Sequence, residues 1–117
     1  MRYSAKLVLY QKEKFFGPGV AALLELIDET QSIRSACQQM SLAYTKALKI
    51  IRAAESGFGF TLLVRQTGGK SGGGSALTDK ARQALALYRV FESDVKAYAD
   101  SRFDVLKASL ADLAADQ

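Results

Sequence analysis

Residues 67–75 read TGGKSGGGS, five glycines set around Lys70 with hydroxyls at Thr67, Ser71 and Ser75. A segment with so few side chains lets successive backbone N–H groups close on a phosphate, and the lysine adds charge. The tripeptide GKS is also the tail of a nucleotide-binding loop. That motif needs a glycine five residues before Gly69 and a helix directly after Ser71. Val64 occupies the first position and three more glycines follow Ser71, so both requirements fail. Two readings remain for the loop: a hairpin tip that grips the phosphate backbone of a nucleic acid, or a tip that binds nothing.

Charge placement bears on that choice. Residues 30–78 hold six basic groups (Arg34, Lys46, Lys49, Arg52, Arg65, Lys70) against the single acid Glu55. The segments on either side are close to neutral. A concentrated basic middle is the footprint of a polyanion-binding surface, whereas a solvated basic face is the plain alternative. Other chemistries are closed off. The chain has no histidine and one cysteine, Cys37, which removes zinc fingers, Cys–His nucleophiles and Ser–His–Asp triads. No catalytic residue, metal site or cofactor is expected. No apolar run is long enough to span a bilayer and the N-terminus lacks a signal-peptide pattern, so a cytoplasmic protein with no membrane partner is expected.

These residues need a scaffold, and hydrophobic spacing outlines one. AKLVLYQKEKFF alternates loosely and reads as a strand with Leu7 and Leu9 on one face. GPGVAALLELIDETQ reads as a helix opened by Pro18, with Val20, Leu23, Leu24 and Ile27 in one stripe. Ser32 caps a second helix that turns Ile33, Ala36, Cys37 and Met40 inward. After a break at Ser41–Leu42, AYTKALKIIRAAES resumes helical spacing with Ala47, Ile50 or Ile51, and Ala54 toward the core. The GFG that follows ends it. TLLVRQ and SAL form a hairpin around the glycine loop, and Thr78 caps a helix running from Asp79 almost to the C-terminus. The expected fold is mostly α with a small β wing. Residues 1–78 make a winged helix-turn-helix, and residues 79–117 a long helix for dimerisation.

In such a domain the second helix of the pair enters the major groove. With 47, 51 and 54 in the core, Thr45, Lys49 and Arg52 fall on the opposite face with Lys46 beside them. Lysine donates to guanine O6 and N7, and threonine offers a methyl or a hydroxyl to base edges. Tyr44 either stacks on the nucleic acid or packs at the turn. Ser32, Arg34 and Ser41 are candidate phosphate contacts, as are Arg65, Thr67, Lys70 and Ser71 of the hairpin.

The stretches SIRSACQQMSLAYTKALKIIRAAE and LLVRQTGGKSGGGSALTDKARQALALY resemble the DNA-binding domain of the molybdate-responsive regulator family ModE, itself a relative of the LysR-type winged helix. The resemblance runs from about residue 15 to about residue 92. It implies a dimeric transcription factor on a palindromic operator, with residues 43–55 as recognition helix and 65–75 as wing. Nothing like that family's molybdate-binding domains is seen, so no oxyanion site is expected within these residues.

The last helix carries the oligomer. An apolar stripe of Leu85, Tyr88, Phe91, Val95 and Tyr98 resumes at Val105, Leu106 and Leu110 and calls for a second copy of the chain. The expected function is therefore sequence-specific binding of double-stranded DNA by a homodimeric, non-enzymatic regulator. The alternative is an architectural or protein-interaction module on the same fold without base reading.

Overall fold

Proline at the first helical position, two residues in left-handed backbone conformation and one closing glycine divide the middle of the chain into three helices. A computed structural model describes residues 1–66 and 74–116. The elements are β1 (Leu9–Tyr10), β2 (Lys14–Phe16), α1 (Pro18–Thr30), α2 (Ile33–Met40), α3 (Tyr44–Phe58), β3 (Leu63–Gln66), β4 (Gly74–Leu77) and α4 (Asp79–Ala115). This is a mostly helical, winged-helix-like fold, as expected.

Backbone packing gives two compact units, Lys6–Leu85 and a second made of Met1–Ala5 with Ala86–Gln117. The core of the first lies among α1, α2 and α3. Leu23, Ile27, Ala36, Cys37, Ala47 and Ile51 form one buried cluster, with Ile33, Met40, Leu42 and Tyr44 packed against it. Of the two candidates at 50 and 51, it is Ile51 that is buried. Each fully buried Leu or Ile here contributes about 1.5–3 kcal/mol, so the helix pair is held from beneath.

One expectation is corrected. The N-terminal segment is not one strand. Leu9 pairs with Phe16 and Tyr10 with Lys14, making a short antiparallel hairpin that reverses at Gln11–Glu13. It docks on the end of α3: Gln11 Nε2 donates to Gly57 O at 3.3 Å, and Phe15 and Phe16 meet Phe58 edge-to-face at 5.1 and 5.0 Å. α3 stops within GFG, as expected. Gly57 lies inside the helix and Gly59, at φ 84°, caps it. A side chain at Gly57 would strike the Phe15 ring, so that glycine provides room rather than a stop signal. The helix thus runs two residues past Ser56, which carries Phe58 onto the aromatic cluster.

α4 is unbroken over 37 residues. Thr78 caps it, its Oγ1 accepting from Ala81 N–H at 3.1 Å. In the second unit Tyr3 Oη donates to Asp100 Oδ1 at 2.5 Å, and its ring meets Phe103 edge-to-face at 4.9 Å. The Tyr3 hydrogen bond, then Lys96, holds the Asp100 carboxyl below its ordinary value. Among the described residues no helix is long and apolar enough to cross a membrane, and no His, Cys, Asp or Glu cluster has a metal-binding arrangement.

Candidate nucleic-acid interface

The helix pair is fixed at three points. At its start the Ser32 hydroxyl accepts from Ser35 N–H at 3.0 Å, a cap that stabilises a helix by about 1 kcal/mol. At the turn Ser41 takes left-handed backbone angles and its N–H bonds to the carbonyls of Cys37 and Gln38. Leu42 N–H then bonds to Cys37 O at 2.9 Å. Three residues, Ser41 to Ala43, thus reverse the chain from α2 into α3. Ala36 is fully buried at this junction, where a larger side chain would push the helices apart at a cost of about 1–3 kcal/mol.

With Ala47, Ile51 and Ala54 buried, Thr45, Lys46, Lys49 and Arg52 are all exposed. None of these cations has an ion pair among the described residues. Glu55, the one acid of residues 30–78, faces elsewhere: its Oε2 accepts from Leu62 N–H at 2.8 Å and ties the loop after α3. The basic face therefore has no counter-charge of its own from this stretch.

β3 and β4 pair antiparallel in register Leu63↔Leu77, Val64↔Ala76, Arg65↔Ser75 and Gln66↔Gly74. The hairpin is anchored to the helices at Gln31, which ends α1 with φ 59°. Gln31 O accepts from Ser75 N–H at 3.1 Å, and lies so near Gly74 that any side chain there would displace the strand. The candidates Thr67, Lys70 and Ser71 lie outside the described residues.

Between the hairpin and the helix pair lies a cleft of about 530 Å³. Ser32, Ile33 and Arg34 line it from α2 and its cap, Tyr44, Leu48 and Arg52 from α3, and residues 63–66 with Gly74 and Ser75 from the hairpin. Arg34 stacks on Tyr44, its guanidinium carbon 4.7 Å from the ring centroid. So Tyr44 both packs at the turn and positions an arginine. Of the predicted contacts, Ser32, Arg34, Tyr44, Arg52 and Arg65 converge on this cleft, while Thr45, Lys46 and Lys49 sit on the exposed side of α3 and Ser41 at the turn. Sequence reasoning did not single out Leu48 and Val64. Leu48, four residues from both Tyr44 and Arg52, carried the only signal.

On α4, Tyr88 is buried within the chain and Leu85 and Val95 are half-buried, whereas Phe91, Tyr98, Val105, Leu106 and Leu110 are exposed. Burial, then the Glu92 carboxylate, raises the Tyr88 phenol to about 12. Leu87 and Val90, not singled out from sequence, are exposed beside Phe91. The seven-residue spacing of Phe91, Tyr98 and Val105, with Leu87 four residues earlier, is the pattern that marks them.

The chain matches no family model. It is 37% identical over 82 residues to the transcriptional regulator ModE of Haemophilus influenzae, covering 70% of this chain and 32% of that protein. It is 36% identical to the molybdenum transport protein ModE of Azotobacter vinelandii, over 67% of this chain and 29% of the relative. The molybdenum-pterin-binding protein MopB of Rhodobacter capsulatus is 30% identical over 80% of this chain and 35% of its own length. The chain thus spans about a third of the length of the curated relatives it matches. Over some two thirds or more of its residues, this chain is similar to proteins named ModE.

Proposed function

We propose that the protein is a transcriptional regulator that binds double-stranded DNA sequence-specifically. In this reading α3 lies in the major groove, with Lys46 and Lys49 on base edges and Thr45 and Arg52 beside them. Ser32, Arg34 and Tyr44, with Arg65 in the same cleft and Ser41 at the turn, hold the backbone. Thr67, Lys70 and Ser71 of the loop extend that grip, as a LysR-type wing would. One observation carries this: the exposed face of α3 presents Lys46, Lys49 and Arg52 with no ion pair among the described residues, and Glu55, the one acid of residues 30–78, is engaged at Leu62. The name of the Haemophilus influenzae relative supports the same role.

Residues 79–117 make the protein a homodimer, through Leu85, Tyr88, Phe91, Val95, Tyr98, Val105, Leu106 and Leu110. These residues include no selective site for molybdate, although relatives are named for molybdenum transport. Such a regulator works in the cytoplasm and is not an enzyme. Selection of bound duplexes from a random pool tests the reading. A palindromic motif is the expected outcome, and recovery of duplexes without any shared motif would contradict it.

A further inference from the structure

The cleft between α3 and the β3–β4 hairpin has a chemistry more specific than a basic groove. Arg34, Arg52 and Arg65 reach it from three different elements, and among the described residues no carboxylate lines it. Arg34 is already oriented by its stack on Tyr44. A guanidinium fork fixed in advance suits two parallel hydrogen bonds to one phosphate. Part of the lining is different in kind: Leu48 and Val64 line the cleft with Ile33 and Leu63, and Val64 is left 47% exposed. A bare oxyanion gains nothing from such a lining, whereas a phosphate that carries an apolar body covers it. The volume of about 530 Å³ falls within the usual span of small-ligand sites, roughly 300–1,000 Å³.

We propose that this cleft is a sugar–phosphate site: it seats one nucleotide unit of a DNA strand, and a free nucleoside monophosphate enters the same place in competition with duplex. The first half rests on the DNA-binding reading above; the second holds for the protein alone. The consequence is a DNA-binding face that a small phosphate ester can occupy, so that binding responds to such a molecule beyond any effect of ionic strength.

Deoxyadenosine monophosphate is the probe. It is titrated against a fluorescent duplex bound to the whole chain at constant ionic strength, and separately against the free protein followed by amide NMR shifts. The expected result is displacement of the duplex, with shifts at residues 33–34 and 64–65. Arg34→Gln and Val64→Asp, both at exposed side chains, should each weaken the nucleotide, the arginine change by about 10–100-fold. Lys49→Ala, outside the cleft, should weaken the duplex but not the nucleotide. Inorganic phosphate and molybdate should bind more weakly than the nucleotide. If the duplex binds normally and the nucleotide displaces it no better than sodium chloride, the cleft assignment falls and the DNA reading stands. If no duplex binds but the nucleotide still shifts the cleft amides, the DNA reading falls and the cleft stands. Equal affinity for inorganic phosphate and the nucleotide would remove the role given to Leu48 and Val64.

Discussion

The α3 face and the apolar stripe of α4 are both exposed over much of their length, yet they lack opposite things. On α4 several charges are matched internally: Arg89 pairs with Glu92 at 2.6 Å, Lys96 with Asp100 at 3.0 Å and Lys107 with Asp104 at 3.5 Å. Pairs three or four residues apart stabilise a helix by about 0.2–0.5 kcal/mol each and present little net field. What α4 leaves unmatched is apolar surface, with Leu87 at 71% and Tyr98 at 70% exposure. On α3 Ala47, Ile51 and Ala54 are buried, and the cations are the unmatched groups. A helix that satisfies its charges and exposes its leucines asks for another apolar surface. One that buries its apolar stripe and exposes its lysines asks for an anion. The same reasoning gives a protein partner to one region and a phosphate backbone to the other.

The largest effect should come from charging the α4 stripe. Phe91→Asp combined with Val105→Asp should convert a dimer into a monomer by sedimentation at micromolar concentration. It should also lower affinity for a duplex with two half-sites by about 10²–10⁴-fold, because the second contact is no longer intramolecular. A wild-type chain that already sediments as a monomer would break the comparison at once.

Next come the cations. Lys46→Ala or Lys49→Ala should cost roughly 1–3 kcal/mol on the best site and relax preference at particular base pairs. Arg65→Ala or Lys70→Ala should instead weaken all sequences about equally, lowering the slope of log affinity against log salt by about 0.9. Binding curves on selected and scrambled duplexes at several salt concentrations separate the two. Should the hairpin changes erase preference while the α3 changes leave it intact, the roles are reversed.

The smallest effect belongs to Tyr88. Its phenol is raised to about 12, so the folded state favours the neutral form. That contribution is complete below the ordinary tyrosine value of 10.0 and is lost as pH rises through about 12. Alkaline titration of tyrosine absorbance should show a late-ionising group that Tyr88→Phe removes. A titration unchanged by that substitution would place the late group elsewhere.

Much of this was legible because helix signals are local. Pro18, Ser32, Thr78 and the apolar spacing of α1 to α3 act within a few residues of themselves, and each element formed where its own chemistry requires. The N-terminal hairpin was not legible, because YQKEKFF reverses without glycine, proline, asparagine or aspartate. Its reversal depends on contacts with α3 more than forty residues away. Which glycine of GFG stops α3 was not legible for the same reason: Gly57 stays helical with Phe15 packed against it, and Gly59 is the cap. The cleft was half legible. Its arginines were visible as charge, but the stacking of Arg34 on Tyr44 and the exposure of Val64 are products of tertiary packing. On α4, helical spacing found the stripe but did not divide it into a buried side at Tyr88 and an open side at Leu87.

The most direct test of the account is the ratio of affinities for a selected duplex and its scrambled counterpart at one fixed, physiological salt concentration. If Lys46 and Lys49 on α3 read base edges, the ratio should reach about 10³ or more. A ratio near unity, with affinity falling steeply as salt rises, would show that the exposed cations bind phosphate alone and that α3 reads no sequence.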